Sequence, residues 1–94
     1  MIKHHFSAGG VYAREQTLLA GEEVQKHAHD YDHMSYLAGG TAMLDVDGEL
    51  SVIHGPCMLE VKAGQSHRIT AVTDLTWLCI HADSVADVET LMKG

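Results

Sequence analysis

Short runs in which apolar and polar residues alternate follow one another along this chain, each cut off by a turn signal. The turns fall at Gly9-Gly10, Gly21, Gly39-Gly40, Asp47-Gly48, Gly55-Pro56, Gly64 and Asp74. Pieces of about 8 to 12 residues between turns are the rhythm of an all-β sandwich or barrel. Strand character is found in Val11 to Leu19, Met34 to Ala38, Thr41 to Val46, Leu50 to Ile53, Met58 to Val61, Arg68 to Val72 and Leu75 to Ala82. Seven or eight strands are expected. Asp47-Gly48, between Leu44-Asp45-Val46 and Leu50-Ser51-Val52-Ile53, is a strong two-residue hairpin signal. From Asp83 to Lys93 the period changes. Val85, Val88, Leu91 and Met92 recur at helical spacing, with Asp83 or Ser84 as N-cap, so one short C-terminal helix is expected.

The chain has 94 residues, of which 46% are apolar, and reads as one folded domain over residues 1–94. So small a domain benefits from a partner subunit, and a homodimer is expected. The formal charge of -7, with six Lys and Arg in all, disfavours nucleic acid, because a phosphate backbone needs clustered cations. No apolar run is long enough to cross a bilayer as a helix, and Met1 to Phe6 lacks the apolar core of a signal peptide. A cytoplasmic protein that neither enters nor binds membranes is the expectation. Cys57 and Cys79 are then expected to be free thiols.

Eight histidines concentrate the candidate chemistry. His27-Ala28-His29 places two imidazoles on one side of a strand, about 6 to 7 Å apart, a spacing suited to one shared metal ion. His33 follows four residues later, and His67 stands just after the turn at Gly64. His29 and His33 also have the spacing of the H-E-x-x-H zinc helix, but Asp30 replaces its Glu and the flanks are strand-like. Imidazole suits zinc, copper, iron, nickel and manganese, so ligand type does not select among them. His54, beside Gly55-Pro56, reads as a surface residue, and His4 and His5 as exposed.

This pattern resembles the cupins. Their first motif runs G-x5-H-x-H-x3,4-E-x6-G, and Gly21, His27, His29, position 33 and Gly40 match its spacing, with His33 in place of Glu. Of the second motif, G-x5-P-x-G-x2-H-x3-N, the part Gly64-Gln65-Ser66-His67 matches. Lys62 stands at the proline position, Ala71 replaces the terminal Asn, and Gly55 is one residue out of step. The two motifs cover approximately residues 21–40 and 55–71. The resemblance implies a small antiparallel β-barrel (double-stranded β-helix, or jelly roll), often dimeric. It implies one divalent transition metal per chain on His27, His29, His33 and His67, as in the four-histidine subgroup. Manganese or iron is favoured; nickel, copper, cobalt or zinc also fits. In similar small cupins an aromatic-x-Cys pair on the last strand faces the metal. Trp77 and Cys79 are therefore expected to line the pocket, joined by His81 on the same face and by Tyr36.

Four neutral imidazoles leave the charge of a divalent ion uncompensated, which favours anionic ligands. The expected function is a metal-dependent oxidoreductase, dioxygenase-like, acting on a small organic molecule. The alternatives are a non-redox isomerase or lyase of a sugar or small acid, with His81, Glu60 or Tyr36 as base, and a non-enzymatic module that binds a metal or small molecule.

Overall fold

At Asp47-Gly48 the backbone turns with φ of 51° and 87°, both positive, and Val46 pairs with Glu49 across the turn. This left-handed geometry is what the right-handed twist of a two-residue hairpin requires, and Asp-Gly supplies it at little steric cost. Gly40, at φ 90°, is held more tightly. A Cβ there would lie 2.4 Å from the carbonyl oxygen of Asp74 and 2.7 Å from Leu75 Cβ, so no side chain fits at this crossing of two turns.

The computed structural model describes residues 1–28 and 30–84, with backbone only at 25–27. The described residues form nine strands: β1 (Ile2–Ala8), β2 (Val11–Leu18), β3 (Glu23–His27), β4 (His33–Gly39), β5 (Thr41–Val46), β6 (Glu49–His54), β7 (Cys57–Val61), β8 (His67–Ala71) and β9 (Leu75–Ala82). All pairings are antiparallel. One sheet has the order β1-β2-β9-β4-β7, the other β3-β8-β5-β6. The all-β expectation holds, and strands β1 and β3 add to those read from periodicity. The expected C-terminal helix lies outside the described residues, apart from Asp83 and Ser84, which form a turn.

Parity along the strands decides what lies inside. In β2 every second residue is buried, namely Tyr12, Arg14, Gln16 and Leu18, and in β9 Leu75, Trp77, Cys79 and His81. In β4 the inner residues are His33, Ser35 and Leu37. Leu18, Val24, Leu37, Ala42, Ile69, Ala71, Leu75, Trp77 and Cys79 form one continuous core between the sheets.

Registers arrange the inner face in rows. Gln16, Trp77, Leu37 and Cys57 lie side by side across β2, β9, β4 and β7, and the neighbouring row reads Arg14, Cys79, Ser35 and Leu59. Beyond that row stand Tyr12, His81 and His33. The opposite sheet repeats the gradient: Ala71 faces Ala42, Ile69 faces Leu44, and His67 faces Val46. One end of the sandwich is therefore packed with apolar side chains and the other is lined with imidazoles. Cys57 and Cys79 are free thiols, as expected.

Candidate metal and ligand site

His67 opens β8, and its position is set before the strand begins. Asp47 Oδ1 accepts a hydrogen bond from the Ser66 N–H at 2.9 Å, and Ser66 O accepts one from the Asp47 N–H at 2.9 Å. The turn before it closes on itself, with Gln65 Oε1 accepting from the Lys62 N–H at 2.9 Å. Asp32 Oδ1 accepts from the Ala63 N–H at 2.8 Å, tying this turn to the residue preceding His33. Asp32 thus links the chain entry of His33 to the turn before His67, and Asp47 ties that turn to the β5–β6 hairpin.

The result is that His33 and His67, 5% and 2% exposed, meet across the sandwich with ring centroids 5.7 Å apart. The backbone of His27 pairs directly with His67, after a register shift between Val24 and His27. With a metal–nitrogen bond of about 2.1 Å, an ion sits roughly 3.2 Å from each ring centroid. Two imidazoles on one ion then have centroids about 4.5 Å apart at a right angle and about 6.4 Å apart in line. The His33–His67 spacing falls within that range, so this pair fits a shared ion. His29 and the side chain of His27 lie outside the described residues. Among the described residues no group of three His, Cys, Asp or Glu side chains converges closely enough to hold a metal.

His81 is brought to the same place. Its ring stacks on His33 with centroids 4.6 Å apart and planes 24° apart. In stacked rings the nitrogen lone pairs lie in near-parallel planes and do not readily converge on one atom, so His81 packs beside the pair as a neighbour. Tyr31, which has no periodic signal in the sequence, closes the cluster. Its hydroxyl lies 3.1 Å from His81 Nδ1, and its ring meets those of His33 and His81 edge-on. Burial is the main influence on the Tyr31 phenol and pushes its pKa above the usual value, with Asp30 and Cys79 acting in the same direction.

On the other side of His81 lies Tyr12, fully buried, with ring centroids 6.1 Å apart. Its hydroxyl is 2.6 Å from His5 Nδ1. Burial raises the Tyr12 pKa, and the Arg14 guanidinium partly offsets this. His5 is thus a half-buried residue of β1 engaged with the wall of the pocket, while His4 is exposed as expected.

Trp77, Cys79 and His81 all face inward, Trp77 and Cys79 as members of the core. Tyr36 does not line the pocket. It alternates with the inward His33, Ser35 and Leu37 and pairs with Leu78 and Met58 on the outer face of the sheet. An odd spacing from His33 puts it on the opposite side of the pleat. Glu60 is exposed and paired with Lys62. Of the three candidate bases, His81 alone faces the interior. His54 is exposed at the end of β6, with Nδ1 2.9 Å from Thr41 Oγ1.

The cupin domain family matches residues 14–81, well over half of the chain. No curated protein sequence matches. Among solved structures, a cupin superfamily protein from Desulfitobacterium hafniense is similar at 18% identity and TM-score 0.77, over 86% of this chain and 75% of that one. An RmlC-like cupin with a double-stranded β-helix fold from Methanocaldococcus jannaschii gives 16% identity and TM-score 0.75, over 86% and 78%. KdgF from Halomonas sp. gives 15% and 0.74, over 83% and 74%. At these identities the likeness speaks for the fold alone, and it agrees with the strand order and with the two histidine-bearing motifs: the chain belongs to the cupin domain family.

Proposed function

We propose that this chain is a metal-dependent enzyme acting on a small organic molecule in the barrel interior. The ion is held by His27, His29, His33 and His67. The observation that carries the reading is the approach of His33 to His67 across the sandwich, at a spacing suited to one shared ion. A bound divalent transition ion would supply Lewis-acid polarisation of a substrate oxygen and an acidified water; the family resemblance favours manganese or iron.

The residues beside the ion favour proton transfer as the reaction class. His81 and Tyr31 form a hydrogen-bonded pair against His33. A neutral imidazole paired with a phenol can take a proton from a substrate carbon or oxygen and return it, and stacking fixes where it does so. This supports a non-redox isomerase or lyase of a sugar or small acid. The oxygen-dependent reading keeps one specific support: the interior ends in an apolar floor of Leu37, Trp77 and Leu75, which excludes water from a reactive centre.

The two separate experimentally. Metal-loaded protein is incubated with a panel of small hydroxy acids and sugar acids in deuterated water. Deuterium appearing at substrate carbon, and lost in His81→Phe, supports proton transfer. Oxygen consumption that survives His81→Phe supports the oxidoreductase.

We propose that the molecule is a homodimer. On the outer face of the five-stranded sheet, Phe6, Ala13, Ile80 and Met34 lie in one row, and Phe6 and Met34 are 55% and 45% exposed. An apolar row of this kind is suited to burial against a second copy.

A further inference from the structure

We propose that two copies of the chain pack back to back about a two-fold axis parallel to the strands, with Phe6 of each seated in a hollow beside Met34 of the other. The inference deepens the reading of the outer face as a dimer surface and rests on it.

The first observation is a knob. On the outer face of β1, β2 and β9, Ala8, Val11 and Ala82 are partners in one row, and Phe6, Ala13 and Ile80 in the next. Phe6, the single phenylalanine, has Ala8 beside it on its own strand and Ala13 opposite it on β2. Its ring therefore stands above small neighbours, and it is 55% exposed. The rest of β1 is exposed too, apart from the half-buried His5. Glu15, paired with His4, gives this apolar patch a polar border.

The second observation is a hollow three strands away. Met34, 45% exposed on β4, ends the row that Phe6 begins, and Glu60 on β7 is its partner. With Asp32 and His33 they line a hollow of about 220 Å³, which has room for an aromatic ring. Asp32 is fixed there by the Ala63 N–H, and Glu60 by Lys62. The positive edge of a phenyl ring suits a hollow rimmed by carboxylates.

Symmetry joins the two. The row Phe6, Ala13, Ile80, Met34 has its midpoint between Ala13 and Ile80. Phe6 and Met34 stand at equal distances from it, one and a half strand spacings or about 7 Å on either side. Aligned packing of two identical sheets leaves two choices of two-fold axis, along the strands or along the row. An axis along the strands lays Phe6 on Met34 of the second copy, twice, with Ala13 facing Ile80 at the centre. Knob then meets hollow at both ends, and Glu60 with Lys62 stays at the rim. An axis along the row sets Phe6 on Phe6 and one Glu60–Lys62 pair on the other, which holds the sheets apart. The first arrangement alone is complementary in shape, which a stable interface requires.

Single cysteines test the pairing. Cys79 is buried, so a Cys57→Ser background leaves no accessible thiol among the described residues. A short bismaleimide suits sheets that face each other about 10 Å apart. Co-expressed Phe6→Cys and Met34→Cys chains should cross-link to each other, and neither should cross-link when expressed alone. Phe6→Ala should weaken dimerisation at least about tenfold in sedimentation equilibrium. Circular dichroism shows which variants are folded, and the cross-linking carries the test if Phe6→Ala is not. Cross-linking of Phe6→Cys to itself assigns the axis along the row and overturns the pairing. A dimeric wild type without the mixed cross-link, or an unchanged dimer constant in folded Phe6→Ala, overturns the pairing while leaving the dimer intact. A monomeric wild type overturns both.

Discussion

His33 and His81, from strands that pair side by side, stack with ring centroids 4.6 Å apart and planes inclined by 24°. The proposed function gives these two imidazoles different roles. His33 approaches His67 at a spacing that suits a shared ion, while His81 turns its Nδ1 to Tyr31. His81→Phe preserves the flat stacking surface and should leave metal content unchanged while abolishing turnover. Metal analysis beside an activity assay checks this. Loss of metal in His81→Phe would make His81 a ligand and refute the division of roles.

Asp47 combines a left-handed backbone at φ 51° with a carboxylate that accepts the Ser66 N–H. Asp47→Asn keeps both the acceptor and the tolerance for positive φ, so thermal melting should barely change. Asp47→Ala loses both and should cost about 1–3 kcal/mol. In a domain of this size that lowers the melting temperature by roughly 4–8 °C per kcal/mol. Identical melting of the two variants would show that the Asp47–Ser66 link does not hold the start of β8.

Alkaline stability should report Tyr12. Burial raises its pKa, so between the unfolded and folded values the native state holds a proton that the unfolded chain has released. The contribution to stability is complete below about pH 10, the ordinary phenol value, and is lost as pH rises through the folded pKa. Resistance to denaturant should fall as pH rises above about 10, and Tyr12→Phe should flatten the decline. An equal decline in Tyr12→Phe would assign it to other groups, Tyr31 first, whose pKa is also raised by burial.

The outer row of Phe6, Ala13, Ile80 and Met34 predicts a dimer at micromolar concentration. Light scattering should give twice the mass of the 10.2 kDa chain for the wild type and the single mass for Met34→Lys. A monomeric wild type would contradict the dimer.

The pattern of turns and alternation carried most of this fold, because strands with one buried face write a period of two into the sequence. Ile2–Ala8 escapes that reading. Its residues are exposed except for the half-buried His5, and β1 is held by backbone pairing with β2, which leaves no apolar alternation. Tyr36 was misread for a different reason: its residue type suits a pocket, but its odd spacing from His33 sets it on the outer face. The converse holds for Arg14 and Gln16. They share parity with Tyr12 and Leu18, yet charge and polarity argue for solvent, and the structure buries both. Tyr31 sits in a connection, where no period exists to read. The histidines stood out because their spacing matches a recognisable motif, whereas Asp32 and Asp47, which fix the chain on either side of the turn before His67, act through backbone amides and leave no motif.

Metal content of protein purified without added metal decides whether imidazoles from separate stretches of the chain hold a single ion. About one equivalent of a divalent transition ion per chain is expected, reduced to background in His67→Ala and in His33→Ala while both variants remain folded. Trace metal in the wild type, failure to take up added Mn2+ or Fe2+, or a stoichiometry unchanged by removing His67 would contradict it.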